Sequence, residues 1–127
     1  MFHIKIKLDK SNIHNIGLFA DQDISKGQII YTINPTLNLS LTEKEFSELD
    51  ENEKETIKHY GYFDKENMKR HLSFDDIRFC NHSIDSNITL IDNKIIAKKN
   101  ISKGNELTQD YSEFEDLRKE LIKKNPR

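Results

Sequence analysis

A single α+β domain is the fold class that the sequence predicts, with short strands towards both ends and a helical stretch between them. Three observations carry that prediction. Apolar and polar residues alternate in "FHIKIKL", the period of a half-buried strand. β-Branched runs return late in the chain, in "NITLI" and "KIIAKK". Between them, residues at capping-box spacing twice announce a helix. The length, 127 residues, allows one core and not two.

The first strand is expected from residue 2, followed by "NIGLFA" at 15–20, a short apolar run behind a turn. "DISKGQIIYTI" puts Gly27 in a turn and residues 28–33 in a strand. In "LTEKEFSEL", Thr42 and Glu45 have capping-box spacing while Phe46 and Leu49 share a face, which predicts a short helix. Asp50 and Glu53 repeat the spacing ahead of a second helix over 50–60. Gly61 then stands where a left-handed C-terminal residue is wanted. Ser112 and Glu115 predict a terminal helix with Leu117, Leu121 and Ile122 on one side. The chain also echoes itself: "DISKGQII" at 23–30 recurs as "NISKGNEL" at 100–107. Two copies are too few for a repeat array. The echo predicts two similar turns feeding two strands, each glycine permitting a positive φ.

Hydrophobic residues make up 35% and charged residues 33%, so a modest core sits under a thickly charged surface. Seven Phe, four Tyr and abundant Ile argue for a folded chain. A net charge of −2 lacks the basic footprint of nucleic-acid binding, so no direct nucleic-acid contact is expected. "SELDENEKE" is locally acidic, a solvated helix face that would attract a basic partner. One cysteine excludes an internal disulfide and a multi-cysteine zinc site. Neither a signal-peptide run nor a membrane-length apolar stretch is present, which predicts a soluble, intracellular protein without membrane contact.

"RFCNHSIDSN" at 78–87 crowds short hydrogen-bonding side chains into one segment. It is the third of four pieces in order, with "NIGLFA", "ISKGQII" and "ISKGNELTQDY". Each is weak alone; in this order and at these separations they closely resemble the SET domain of protein lysine methyltransferases, over residues 13–111. The resemblance implies several small sheets with a C-terminal pseudoknot. It also implies a variable helical insert, here about 36–72, and a helix and tail at 112–127.

What the resemblance implies for function is methyl transfer from S-adenosylmethionine to the ε-amine of a lysine, without a metal. That chemistry requires two reactants held in line and a neutral amine, which an apolar channel favours. Tyr111 matches the tyrosine that stands where cofactor and lysine channel meet, and is the expected catalytic residue. Asn81 and His82 are the expected cofactor contacts, with Arg78 supporting their pocket and Phe79 packing. Ser83 and Asn87 are expected to hold the loop's shape. Ile16, Gly17 and Leu18 match a Gly-rich turn whose backbone lies against the cofactor; Asn15 replaces its first glycine and tolerates left-handed φ. Tyr60 and Tyr62 in "HYGYF" are expected as channel walls or as core aromatics.

Four departures qualify the match. Ser86 replaces a usual proline, and Asn105 replaces the first glutamate of a Gly-Glu-Glu-Leu-Thr motif while Glu106 is kept. Gln109 stands where many relatives place Phe or Tyr to control how many methyl groups fit, so it joins the expected lysine channel. The cysteine-rich zinc module that follows many SET domains has no counterpart, leaving Phe114 and Leu117 as the expected lid. The rival reading is a non-catalytic SET-like module that binds peptide or cofactor; its mark would be loss of Tyr111 or Asn81. The expected partner is a lysine-bearing protein or peptide, such as a histone tail. Substrate identity, product state and oligomeric state stay open at this point.

Overall fold

The structure, a computed structural model, describes residues 1–113. The expected terminal helix and its lid residues Phe114 and Leu117 lie outside the described residues, apart from a 3₁₀ turn at Tyr111–Glu113.

Two strands, β1 (Ile6–Lys10) and β2 (Ile16–Ala20), open the fold as an antiparallel pair, with Leu8 opposite Leu18. Asn15 turns the chain between them at a φ of 41°, doing what a glycine would do there. β1 starts later than the alternation suggests. Phe2 instead bridges Tyr31, and the two rings meet edge-on at 4.8 Å. One alternating run therefore serves two pairings, because the N-terminal residues lie along β3 (Ile29–Thr32) before the chain reaches β2.

The insert follows. β4 (Asn38–Thr42), α1 (Glu43–Ser47), α2 (Glu51–Tyr60), β5 (Tyr62–Asp64) and β6 (Lys69–Ser73) make it up. Both capping boxes close as the spacing predicts. Thr42 Oγ1 accepts from the Glu45 N–H while Glu45 Oε1 accepts from the Thr42 N–H, and Asp50 and Glu53 do the same for α2. The insert is only partly helical: β4, β6 and β5 form an antiparallel sheet that its polar strands, such as "KRHLS", did not announce. Gly61 also departs from expectation. Its φ of −97° is extended, not left-handed. The reason for glycine is room: a Cβ would lie 2.3 Å from the His71 carbonyl oxygen and 2.7 Å from that of Ile57.

The remaining strands are β7 (Asn81–His82), β8 (Ile88–Ile91), β9 (Lys94–Ala97) and β10 (Thr108–Gln109). β9 lies between β3 and β8 in an antiparallel sheet, and its inner face meets Leu18, Ile30, Ile88 and Leu107 in the core. Each of those four is fully buried, contributing about 1.5–3 kcal/mol. The echoed turns pack against each other. Ile24 and Ile101 exchange both backbone hydrogen bonds at 2.8 Å. Asp23 Oδ1 accepts from the Lys103 N–H, and Asn100 Oδ1 accepts from the Lys26 N–H. Gly27 and Gly104 have φ of 85° and 94°. β10 runs parallel to β7, Thr108 beside Asn81 and Gln109 beside His82, so the C-terminal segment crosses back alongside the 78–87 segment. Among the described residues, no helix is long and apolar enough to cross a membrane.

The two glycine mechanisms predict different costs on substitution. Gly27→Ala meets nothing within 4 Å and loses only its left-handed freedom, about 1–2 kcal/mol. Gly61→Ala must displace backbone carbonyls and is expected to cost more, about 2–3 kcal/mol. Denaturant unfolding of both variants checks the order.

Candidate active site

Asn81 is fully buried where three distant segments meet. Its Nδ2 lies 3.1 Å from Ser11 Oγ, 3.1 Å from the His14 carbonyl, 3.3 Å from the Ile16 carbonyl and 2.9 Å from Glu106 Oε2. All four neighbours are acceptors, because the Ser11 hydroxyl gives its own proton to Glu106 at 2.7 Å. That fixes the amide with its nitrogen inward. The opposite atom, Oδ1, is buried with no hydrogen-bond partner among the described residues. An unpaired buried acceptor costs about 1–3 kcal/mol, a penalty that a ligand N–H would relieve.

Gly17 belongs to the same cluster. A Cβ there would lie 2.4 Å from Glu106 Oε2, so the missing side chain makes room for this carboxylate. Leu18 is fully buried and its carbonyl accepts from the Leu107 N–H at 2.7 Å, while the Ile16 side chain is half exposed. Sequence reasoning missed Ser11 and the anchoring part played by Glu106. The retained glutamate beside a glycine turn was the available signal, but only the fold brings residues 11, 17, 81 and 106 together.

His82 and Tyr111 form the next layer. The Tyr111 N–H donates to His82 Nδ1 at 3.0 Å, so the neutral imidazole carries its proton on Nε2. The two rings lie 5.1 Å apart. The Tyr111 hydroxyl, in a side chain 3% exposed, donates to the Cys80 carbonyl at 2.6 Å. Asn87 acts as expected: its Nδ2 donates to the Glu106 carbonyl and its Oδ1 accepts from the Thr108 N–H, bracketing β10. Ser83 is tied through its N–H to the Gln109 carbonyl. Ser86, in place of the proline, is 2% exposed and receives Lys98 Nζ at 3.1 Å. Burial works to raise Asp110, yet the Ser112 hydroxyl and N–H hold its carboxyl below the usual range.

A cavity of about 530 Å³ opens on the other side of Cys80. Tyr60, Tyr62 and Gln109 all line it, so the three residues expected at a lysine channel are brought together. Arg78 lines it too and stacks 5.0 Å from Phe79; it stands on this side rather than beside Asn81. Ile16, Gly17, Leu18, Asn81, His82 and Tyr111 are not in its wall; Tyr111 reaches it through its bond to the Cys80 carbonyl. Cys80 and Gln109 thus stand between the cavity and the Asn81 cluster, and the Tyr111 hydroxyl meets the Cys80 carbonyl there.

At the cavity edge, Ser40 Oγ, His71 Nδ1 and Nε2, and Asp64 Oδ2 form a chain of contacts at 2.8 and 3.1 Å. His71 also lies 5.1 Å from the Tyr62 ring, tying that wall residue to three strands. Asn67 Nδ2, donating at 2.8 Å, and then His71 lower Asp64 to about 2 against the opposing effect of burial.

Comparison with known proteins identifies the family. The SET domain family model matches residues 15–112, and the chain belongs to the SET-domain family. Apo Polycomb Repressive Complex 2 of Chaetomium thermophilum, carrying mutations in Ezh2, superimposes with a TM-score of 0.70 at 23% identity, over 92% of this chain and 16% of that one. The same complex bound to S-adenosylmethionine in an autoinhibited conformation gives 0.64 at 25%, over 96% and 17%. A candidate histone methyltransferase of Plasmodium falciparum gives 0.60 at 24%, over 86% and 94%. The chain thus spans about a sixth of the Polycomb chains and nearly all of the Plasmodium one. A comparison with curated proteins found no match.

Two predictions follow from the geometry. Asn81→Ala removes the shared donor and leaves Glu106 short of a partner in a part-buried site, and is expected to cost about 2–4 kcal/mol in denaturant unfolding. Asp64 has a folded pKa below its usual 3.8, so its stabilisation is present above about pH 4 and is lost as pH falls towards 2. Asn67→Ala raises that folded value and is expected to flatten the stability profile in this window, as read by thermal unfolding at successive pH values.

Proposed function

We propose that this chain is an S-adenosylmethionine-dependent protein-lysine N-methyltransferase. The observation that carries the reading is the Tyr111 hydroxyl, held 2.6 Å from the Cys80 carbonyl between the Asn81 cluster and the cavity. When bound, S-adenosylmethionine supplies a methyl group on a sulfonium, which a neutral amine attacks in line. Asn81 is the residue assigned to hold the cofactor's amino-acid end: its unpaired Oδ1 fits an ammonium donor. Backbone around Ile16, Gly17, Leu18 and His82 is assigned to the rest of the cofactor.

Tyr111 and Cys80 do the positioning. The phenol's proton is committed to the Cys80 carbonyl, so the phenol oxygen offers acceptor lone pairs. Two acceptors side by side orient an amine by its N–H bonds and aim its lone pair away from both. Tyr60 and Tyr62 exclude water along the approach, which favours the neutral amine. Gln109 sets the room around the nitrogen and so the number of methyl groups accepted. A lysine in a basic protein such as a histone suits the acidic 47–55 segment.

Label transfer from radiolabelled S-adenosylmethionine to histones and lysine-rich peptides tests the reading. Tyr111→Phe is expected to lower kcat at least 100-fold. Cofactor affinity, measured by calorimetry, is expected to change little, since the hydroxyl's bond is to the Cys80 carbonyl. Transfer at the wild-type rate by the Phe variant would contradict the role of Tyr111. Tight cofactor binding without transfer to any substrate would favour the non-catalytic module.

A further inference from the structure

The cavity is larger than the one side chain that the proposed reaction places in it. A lysine side chain is five non-hydrogen atoms in file, on the order of 150 Å³ at the ~30 Å³ each that a water molecule occupies. The cavity holds about 530 Å³. Part of its wall is apolar, formed by Ile33, Ile77, Leu90 and Ile95. Ile33 and Leu90 pack against the core yet remain partly exposed, so apolar surface is left open to the cavity. Tyr31 completes this wall with its hydroxyl already committed to both oxygens of Asp75 at 3.0 Å.

Charge does not select what fills this space. The lining includes Asp64 and Glu66 against Lys65 and Arg78, two carboxylates balanced by two cations. What remains distinctive is the apolar wall, continuous with the Cys80 and Gln109 end in a single cavity.

We infer that the cavity takes two side chains of one bound peptide: the acceptor lysine at the Cys80 and Gln109 end, and a large apolar residue close to it in sequence against Ile33, Ile77, Leu90 and Ile95. The identity of the first side chain rests on the methyltransferase reading; the apolar subsite does not. The substrate class is thereby narrowed to proteins in which the target lysine neighbours Leu, Ile, Met or Phe. A lysine flanked only by basic or small residues leaves the wall uncovered.

The test is a set of peptides with one lysine in a Ser/Gly background and a single leucine moved through the three positions on either side. Binding is read by fluorescence anisotropy with S-adenosylhomocysteine present, and methyl transfer is read in parallel. Leucine at one position is expected to strengthen binding about 10- to 100-fold over serine there, the size expected for burying one such side chain. Leu90→Gln and, independently, Ile33→Gln are expected to bring that ratio below about threefold in protein whose thermal unfolding shows a folded chain. Equal binding of leucine and serine peptides at every position overturns the subsite, as does a ratio undiminished in both variants. Transfer without a leucine preference sinks the subsite alone; a leucine preference in binding without any transfer sinks the methyltransferase reading alone.

Discussion

The buried amide of Asn81 is the constraint on which the site depends. One nitrogen gathers the turn at 11–16 and the carboxylate of Glu106, at the point where β10 runs beside β7. Neither strand exceeds two residues, and so short a pairing cannot hold a crossing by its own ladder. Side chains do that work instead: Asn81 below, and Asn87 imitating a backbone strand along Thr108. The amide spends its nitrogen on structure, and its oxygen is buried with no hydrogen-bond partner among the described residues.

Cys80 gives the arrangement its second property. Its side chain is 2% exposed and its Sγ points to the Leu107 carbonyl, so it acts as a small core residue. Its carbonyl accepts the Tyr111 phenol, while its other surface belongs to the cavity. A single residue thus stands between the Asn81 cluster and the cavity, and the Tyr111 hydroxyl is held on its carbonyl.

Much of this was legible from residues that act locally. Thr42 with Glu45, and Asp50 with Glu53, cap the helices their spacing announces, and Asn15, Gly27 and Gly104 adopt the positive φ their turns require. The motif order singled out Tyr111, Asn81 and Gln109 as candidates, because a four-part pattern constrains positions that no single part does. What escaped reading depends on segments far apart in the chain. Gly61 is glycine because β6 passes over it, not because of its own dihedral angles. The insert sheet forms from polar strands that no hydrophobic period marks, and Ser11 reaches Glu106 across 95 residues. Arg78 stood in the right motif, but it sits in a 3₁₀ turn at Asp76–Phe79 and lines the cavity, a placement that no strand period announces.

The most direct test of the account is the affinity of the protein for S-adenosylhomocysteine against its analogue lacking the α-amino group, both by calorimetry. Asn81 Oδ1 as the acceptor for that ammonium predicts a loss of about 10- to 100-fold on removing the amine, the worth of a charge-assisted hydrogen bond in a buried site. Equal affinity for the two would contradict it, leaving Asn81 a purely structural anchor and the cofactor's place in this fold to be found elsewhere.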